Sequence, residues 1–179
     1  QNDLKVLPGL SVTVAQSERE AQAKYDELQD LIHPDHGLAF LSRRIGHDLT
    51  SLDPDILMPD LPPIDDVGTR SGQMLELAKK ENWTLRQLYQ HFAAARGHMV
   101  LIGTPSMVAD TMEEWVNKRA CDGFNIIPSI FPDEFESFVD LVVPELQRRG
   151  LYRKTYDGNT LRELLGLRIP ESQYNTPAI

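Results

Sequence analysis

The stretch "DGFNIIPSIFPDEFESFVDLVVPELQRRG", Asp122–Gly150, decides the fold. Asp122–Ser129 is a short, mostly apolar run, which predicts a strand buried on both faces. An amphipathic helix is predicted from about Asp133 to Arg149, with a kink at Pro144 and an end at Gly150. Its predicted inner side chains are Phe135, Phe138, Val139, Val142 and Leu146.

A second apolar run, "KVLPGLSVTVA" (Lys5–Ala15), predicts another strand that is bent at Pro8, because proline cannot donate to a ladder. The short run "HMVLIG" that begins at His98 is also strand-like. Between these strands the apolar spacing predicts helices. The first helix begins at about Glu18 and ends before His33-Pro34. Further helices cover about 36–46, 71–80 and 85–97, another begins at Pro105, and a last helical turn lies at about 160–165. A proline-punctuated extended segment covers residues 48–68.

Local signals fix several helix ends. Ser17 with Glu20, and Thr84 with Gln87, have the spacing of capping boxes. "GTP" places Thr104 as an N-cap before a proline at the first helical position. Gly97 is the predicted stop of the helix that Thr84 begins.

Strands followed by helices are typical of parallel βα units, so the fold class is α/β, although the chain taken alone is helix-rich. Two such units leave open sheet edges and uncovered apolar faces. The pattern therefore favours the last two βα units of a (βα)8 TIM barrel plus a helical insertion. The sequence also begins without Met, three residues before an apolar run, as if it were cut from something longer.

Composition excludes several classes of function. The net charge is -9, and no run of Lys or Arg exceeds two residues, so nucleic acid is not an expected partner. No apolar stretch approaches the ~18 residues that span a bilayer, and no signal peptide is present, so no membrane association is expected. The single cysteine, Cys121, cannot form an internal disulfide and fits a reducing, cytoplasmic compartment. A small buried filler is favoured over a nucleophile at that position.

Three segments of the chain form a specific pattern: "KVLPGL", "GTPSMVADTMEEW" and above all "DLVVPELQRRG" followed by "LYRKTYDGNTLRELLGL". Through these segments the chain resembles the C-terminal portion of flavin-dependent monooxygenases of the nitrilotriacetate, EDTA and dibenzothiophene-sulfone group, in the bacterial-luciferase-like superfamily. The resemblance runs from about Lys5 to Leu167. It implies a single barrel domain of which this chain is roughly the last two-fifths.

On this resemblance, residues 1–16 hold strand seven, 17–103 the helical insertion, 104–150 the last βα unit and 151–179 the C-terminal tail. The resemblance implies a monooxygenase that takes reduced FMN from a separate NADH-dependent flavin reductase and uses O2 to oxygenate an organic small molecule. The N-terminal half of the same barrel is an implied partner, and a homo-oligomer is expected. The isolated chain is expected to be inactive.

The candidate site lies where barrel chemistry occurs, at the C-terminal ends of the strands. Asn125, Pro128 and Ser129 are candidate cofactor-binding residues at the last strand. The alternatives are that Asn125 satisfies a buried backbone group and that Ser129 caps the next helix. His33 and His36 are candidate catalytic acid–base residues on the insertion, which starts from the reacting face. Their i, i+3 spacing also suits a metal, but no third ligand is near, so no metal site is predicted.

A reading from a different class remains open. The chain could be a non-catalytic helical interaction module, or the remnant of a truncated barrel.

Overall fold

The computed structural model describes residues 4–61, 70–95, 97–171 and 174. Three strands and eight α-helices are formed in these residues, and a π-helical segment joins two of the helices. In chain order they are β1 (Gly9–Val14), α1 (Glu18–Asp30), α2 (Pro34–Ile45), α3 (Arg70–Glu81), α4 (Leu85–Ala95), β2 (Met99–Gly103), α5 (Pro105–Asn117), β3 (Asn125–Ile126), α6 (Asp133–Ser137), the π-helical segment Phe138–Val142, α7 (Val143–Arg148) and α8 (Leu161–Leu164).

The strands form one parallel sheet with the spatial order β2-β1-β3. β1 pairs with β2 from Leu10↔Met99 to Val14↔Gly103. It pairs with β3 only at Gly9↔Asn125 and Leu10↔Ile126. The α/β class, the helix-rich character and the parallel pairing of the first and last strands are thus confirmed. The region 17–103, interpreted as a helical insertion, also contains β2.

The last strand departs from its prediction. A strand over Asp122–Ser129 with two buried faces was expected, but only Asn125–Ile126 is a strand, and Asn125 is exposed. Among the described residues β3 has β1 as its one strand neighbour, so its outer edge and part of its surface lack cover. The apolar composition of this segment was read correctly, but the burial inferred from it is wrong for this chain.

Helices α5 and α7, with the π-helical segment that precedes α7, cover one face of the sheet. Leu10, Val12 and Val14 point to this face, and all three are buried. They pack with Val108, Ala109, Phe138, Val142 and Leu146. Because β-strand side chains alternate between faces, residues 9, 11 and 13 of β1 point the other way.

The predicted kink near Pro144 takes the form of the π-helical segment, which ends just before Val143. The Val143 N–H bonds to the Phe138 carbonyl, and proline at the next position has no N–H to place. The buried stripe is Phe138, Val142 and Leu146. Phe135 and Val139, predicted on the inner side, lie beside that stripe and are 38% and 41% exposed.

A second core lies among α2, α3 and α4. Its buried members are Leu38, Leu41, Ile45, Leu49, Met74, Ala78, Leu85, Leu88, Tyr89 and Phe92. At its centre α2 and α4 approach closely, because Gly37 lies directly against the Tyr89 ring. A Cβ on Gly37 would be 2.6 Å from Cγ and Cδ1 of that ring.

The helix-end signals are confirmed. Ser17 accepts a hydrogen bond from the Glu20 amide, and Thr104 accepts one from the Met107 amide. Thr84 and Gln87 form a reciprocal capping box, as do Thr160 and Glu163. Glycines in the left-handed region follow α2, α4 and α7, at Gly46, Gly97 and Gly150.

The described part of the proline-rich segment, up to residue 61, is irregular and is anchored on the start of α4. The Met58 amide donates to the Trp83 carbonyl at 3.0 Å, and the Leu85 amide donates to Ile56 at 3.0 Å. Residues 62–68 of the predicted segment lie outside the described residues. Cys121 is buried and unpaired, as expected. Within the described ranges, no helix is both long and apolar enough to cross a bilayer.

Arg149 fastens the end of α7 to α5. Its guanidinium donates to Glu145 at 2.7 Å, to Asp110 at 2.6 Å and to the Ser106 hydroxyl at 3.0 Å. Hydrogen bonds from Arg148 and Arg149 lower the pKa of the Glu145 carboxyl to about 2. These contacts hold α7 on the sheet from the side opposite Thr13 and Ser129.

We predict that Gly37→Ala destabilises the chain, although Gly→Ala inside a helix normally stabilises by about 0.5–1 kcal/mol. The added methyl meets the base of a fully buried ring, so we expect a loss of about 1–3 kcal/mol in the free energy of unfolding. Denaturant unfolding of the single variant and of Gly37→Ala in a Tyr89→Leu background measures this. The penalty should shrink in the second background; an equal penalty in both would contradict the proposed clash.

Candidate functional site

The second face of β1 is polar. Ser11 and Thr13 are 3% and 2% exposed, although they stand in an otherwise apolar strand. The Ser11 hydroxyl lies 3.4 Å from the Ser129 hydroxyl, and the Thr13 hydroxyl donates to Glu134 Oε1 at 2.9 Å. This face therefore carries hydrogen-bonding groups next to the residues that follow β3.

Glu134 ties the segment after β3 to α6. Its Oε2 accepts hydrogen bonds from the backbone amides of Ser129, at 2.7 Å, and Ile130, at 3.4 Å, while its Oε1 accepts from Thr13. A carboxylate suits this position because it has two oxygens and every group facing it is a donor. Glu134 thus fixes the backbone where the chain leaves β3.

A cavity of about 420 Å³ lies between the segment after β3 and two helices. Leu28, Gln29 and Ile32 of α1 and its end line it, with Ala93 and Ala95 of α4 opposite; His98, Ile127, Pro128 and Ser129 complete the wall. This volume lies within the usual range for small-molecule pockets, which are mainly apolar with a few polar groups. The lining follows that composition.

Gly9 brings the cavity onto the polar face of β1. A Cβ at Gly9 would lie 2.6 Å from His98 Nδ1 and 2.7 Å from Ile127 Cδ1. The His98 ring and the Ile127 side chain therefore meet over the bare backbone of β1. Any larger residue at position 9 would displace two cavity-lining side chains.

Gln29 is the least satisfied polar group of this wall. It is 5% exposed, and neither its amide nitrogen nor its amide oxygen has a hydrogen-bond partner among the described residues. A buried polar group without a partner costs about 1–3 kcal/mol. Buried polar side chains are normally paired, so this exception calls for a missing partner.

A smaller cavity, of about 290 Å³, lies on the other side of Gln29. Its lining includes the polar side chains of Tyr25, Asp26, Gln90 and His91. Burial lowers the pKa of the His91 imidazole, and burial with the neighbouring Asp26 raises the pKa of the Tyr25 phenol. Gln29 therefore lies between two cavities, and more polar residues line the smaller one.

The structure brings two of the predicted cofactor-binding residues together. Pro128 and Ser129 both line the larger cavity. Asn125 does not line it: its side chain is exposed and donates to the Leu7 carbonyl at 3.1 Å. This contact is the backbone-satisfying alternative that the sequence left open, and a role in cofactor binding stays a prediction for all three residues.

The two predicted catalytic histidines lie outside the cavity. His33 is the N-cap of α2, where its Nδ1 accepts from the Asp35 amide at 3.3 Å, and the ring of His36 is 5.8 Å away. Both side chains are exposed. No group of metal-ligating side chains is found within the described ranges. The neighbouring Ile32 lines the cavity, so His33 lies one residue from its wall.

Sequence reasoning missed three contributors. Gln29 is a polar residue beside the apolar stripe of α1, His98 begins a strand-like run, and Glu134 has the position of an ordinary acidic residue in a first helical turn. The one local signal was the pair Ser11 and Thr13, which are polar at alternate positions of a buried strand. The rest depends on contacts between distant parts of the chain.

Comparisons with known proteins show clear relatives. The chain is 47% identical to nitrilotriacetate monooxygenase component A of Aminobacter aminovorans over 178 residues, which are 98% of this chain and 39% of the relative. No family model matches. The chain spans about two-fifths of the length of the curated relatives it matches.

Two solved structures have the same fold over most of the chain. The crystal structure of DmoA from Hyphomicrobium sulfonivorans has a TM-score of 0.71 and 30% identity, covering 90% of this chain and 34% of the other. A riboflavin lyase solved with modified FMN and riboflavin has a TM-score of 0.65 and 29% identity, covering 97% of this chain and 38% of the other.

We predict that Glu134→Gln loosens the end of β3. An amide has a single acceptor oxygen, and its NH2 group would face a donor, so we expect a loss of about 1–3 kcal/mol in unfolding free energy. Hydrogen exchange at the Ser129 and Ile130 amides should quicken. Glu136→Gln, on the exposed side of the same helix, is the matched control. Unchanged exchange at both amides would show that Glu134 does not hold this segment.

Proposed function

We propose that this chain is part of an FMN-dependent, two-component monooxygenase. The premise is that the chain belongs to the luciferase-like flavin-dependent monooxygenases, in the group of the nitrilotriacetate, EDTA and dibenzothiophene-sulfone enzymes, and corresponds to their C-terminal portion. Reduced FMN would come from a separate NADH-dependent flavin reductase. The complete enzyme would use it with O2 to oxygenate an organic small molecule, in the cytoplasm.

The observation that carries this proposal is the relationship itself. Similarity to nitrilotriacetate monooxygenase component A extends over 98% of the chain, and a fold relative binds modified FMN. In the proposed (βα)8 barrel, β1 and β3 are strands seven and eight, helices α1 to α4 belong to the insertion, and α5 belongs to the last βα unit. The N-terminal half of the barrel is then the partner that covers the free sheet edges.

The residues present fit part of the cofactor. The mainly apolar cavity behind Pro128 and Ser129 suits an aromatic ring or the substrate beside it, and Ser129 offers a hydroxyl. Neither Lys nor Arg lines the cavity among residues 4–61, 70–95 and 97–171, so we assign the phosphate contacts to the N-terminal half. When bound, reduced FMN supplies the two electrons that activation of O2 requires.

In this proposal the chain's own groups bind and orient. Glu134 holds the Ser129 amide, which fixes the backbone of this residue at the cavity wall. The apolar side chains of α1 and α4 exclude water from the space behind it, which protects reactive species from hydrolysis. Asn125 lies at the open edge of β3, outside this cavity, so its contact with the cofactor would come from the side that the N-terminal half completes.

We predict that the full-length protein carrying this chain binds reduced FMN and consumes O2 only when a reductase regenerates that flavin. The isolated 179-residue chain should bind FMN at least about 100-fold more weakly, because it lacks two or more charge-assisted phosphate contacts. Fluorescence quenching and an oxygen electrode measure these quantities. Full-length protein that fails to bind flavin would favour the non-catalytic interaction module instead.

We further propose that His33 and His36 act at the mouth of the complete barrel. His33→Asn separates this role from helix capping, because asparagine is a good N-cap but lacks the imidazole. We expect His33→Asn to keep the wild-type melting temperature and to release more hydrogen peroxide per O2 consumed during turnover. His33→Ala is the control for the cap and should lower the melting temperature. Wild-type peroxide release by His33→Asn and His36→Ala would leave only the capping role.

A further inference from the structure

The larger cavity has a chemical preference that its lining defines. Six of its wall residues are apolar: Leu28, Ile32, Ala93, Ala95, Ile127 and Pro128. The polar groups are one carboxamide, one imidazole and one hydroxyl, from Gln29, His98 and Ser129. Within the described ranges the lining contains no Lys, Arg, Asp or Glu, so nothing there compensates a charged ligand for its lost hydration.

The carboxamide is the most informative of these groups. Both of its polar atoms are buried without a partner in the described part of the chain, and so one donor and one acceptor are left side by side. Terminal torsions of this kind are broad, so a small rotation can turn the amide toward either cavity. In the smaller cavity the Gln29 amide could bond to water and to polar side chains, whereas in the larger cavity few polar groups are present to bond to it.

His98 and Ser129 add to this arrangement without completing it. The His98 ring forms no hydrogen bond with described residues, and the Ser129 hydroxyl has only the 3.4 Å contact with Ser11. A molecule in the cavity would thus find three polar side chains with free bonding capacity. All three groups, the carboxamide, the imidazole and the hydroxyl, can act as donor or as acceptor.

From these contacts we infer that the larger cavity binds an uncharged molecule with an apolar body and one amide or lactam edge. The N–H of that edge donates to Gln29 Oε1, and its carbonyl accepts from Gln29 Nε2. This pairing satisfies both buried atoms at once, which a sulfone, an ether or a plain hydrocarbon does not. The inference rests on the proposed function, because it makes this cavity the place of the organic substrate.

The test measures binding to the full-length protein without flavin or reductase. The probe is 2-quinolinone, a neutral bicyclic lactam, followed by calorimetry. N-methyl-2-quinolinone lacks the N–H, and quinoline-2-carboxylate replaces the lactam edge with an anion. We expect the lactam to bind at least about tenfold more tightly than either analogue, because each analogue loses a hydrogen bond or brings a buried charge.

Two variants and one control locate the site. Gln29→Leu should weaken lactam binding by at least about tenfold and raise the melting temperature of the free protein, since it removes the unpaired amide. Ala93→Leu, at the exposed rim, should block the cavity. Asp30→Leu, at an exposed position on the wall of the smaller cavity, should leave binding unchanged.

Several outcomes overturn the inference: no lactam binding by the wild type, tighter binding of the carboxylate, or unchanged affinity in Gln29→Leu. Loss of binding in Asp30→Leu but not in Ala93→Leu would assign the ligand to the smaller cavity, and this also overturns it. Failure of the proposed function has a different signature. In that case the lactam binds as stated, while the same protein does not bind reduced FMN.

Discussion

The core that contains the sheet depends on β1 being buried on both faces. Leu10, Val12 and Val14 pack against the outer helices, and burial of such side chains contributes about 1.5–3 kcal/mol each. Ser11 and Thr13 are just as deeply buried, but on the other face, where their hydroxyls have partners. One strand therefore fastens the helices with its even residues and supports a polar site with its odd ones. A shift of register by one residue would exchange the two faces and disrupt both.

The two strands beside β1 differ in how many residue pairs join them to it. β2 is held through five residue pairs and by α1, whereas β3 is held through two pairs and by Glu134. The carboxylate replaces part of the ladder that β3 lacks, because it accepts the amides of Ser129 and Ile130. The candidate site is thus placed at the weakest strand, and a single side chain determines where that strand ends. This arrangement leaves the outer edge of β3 for another strand, which the proposed barrel supplies.

Prediction from sequence succeeded where the information was local. The caps at Ser17, Thr84 and Thr104 and the stops at Gly97 and Gly150 depend on residues within one turn of each other, and the structure confirms them. The length of β3 and the exposure of Phe135 depend on which surfaces are brought together, so periodicity alone overestimated burial. Gln29 could not be singled out at all. Gln29 is informative because its amide lacks a hydrogen-bond partner, and this can be recognised only from the positions of all the neighbouring groups.

The same reasoning separates the two kinds of candidate residue. Pro128 and Ser129 were chosen because of their position at the end of a strand, and such positions are set by topology. His33 and His36 were chosen for their chemistry, and the local structure uses one of them to begin a helix. A histidine that caps a helix gives up one ring nitrogen to a backbone amide, so only Nε2 remains for proton transfer. Any catalytic role for His33 must therefore act through Nε2, because Nδ1 stays with the Asp35 amide.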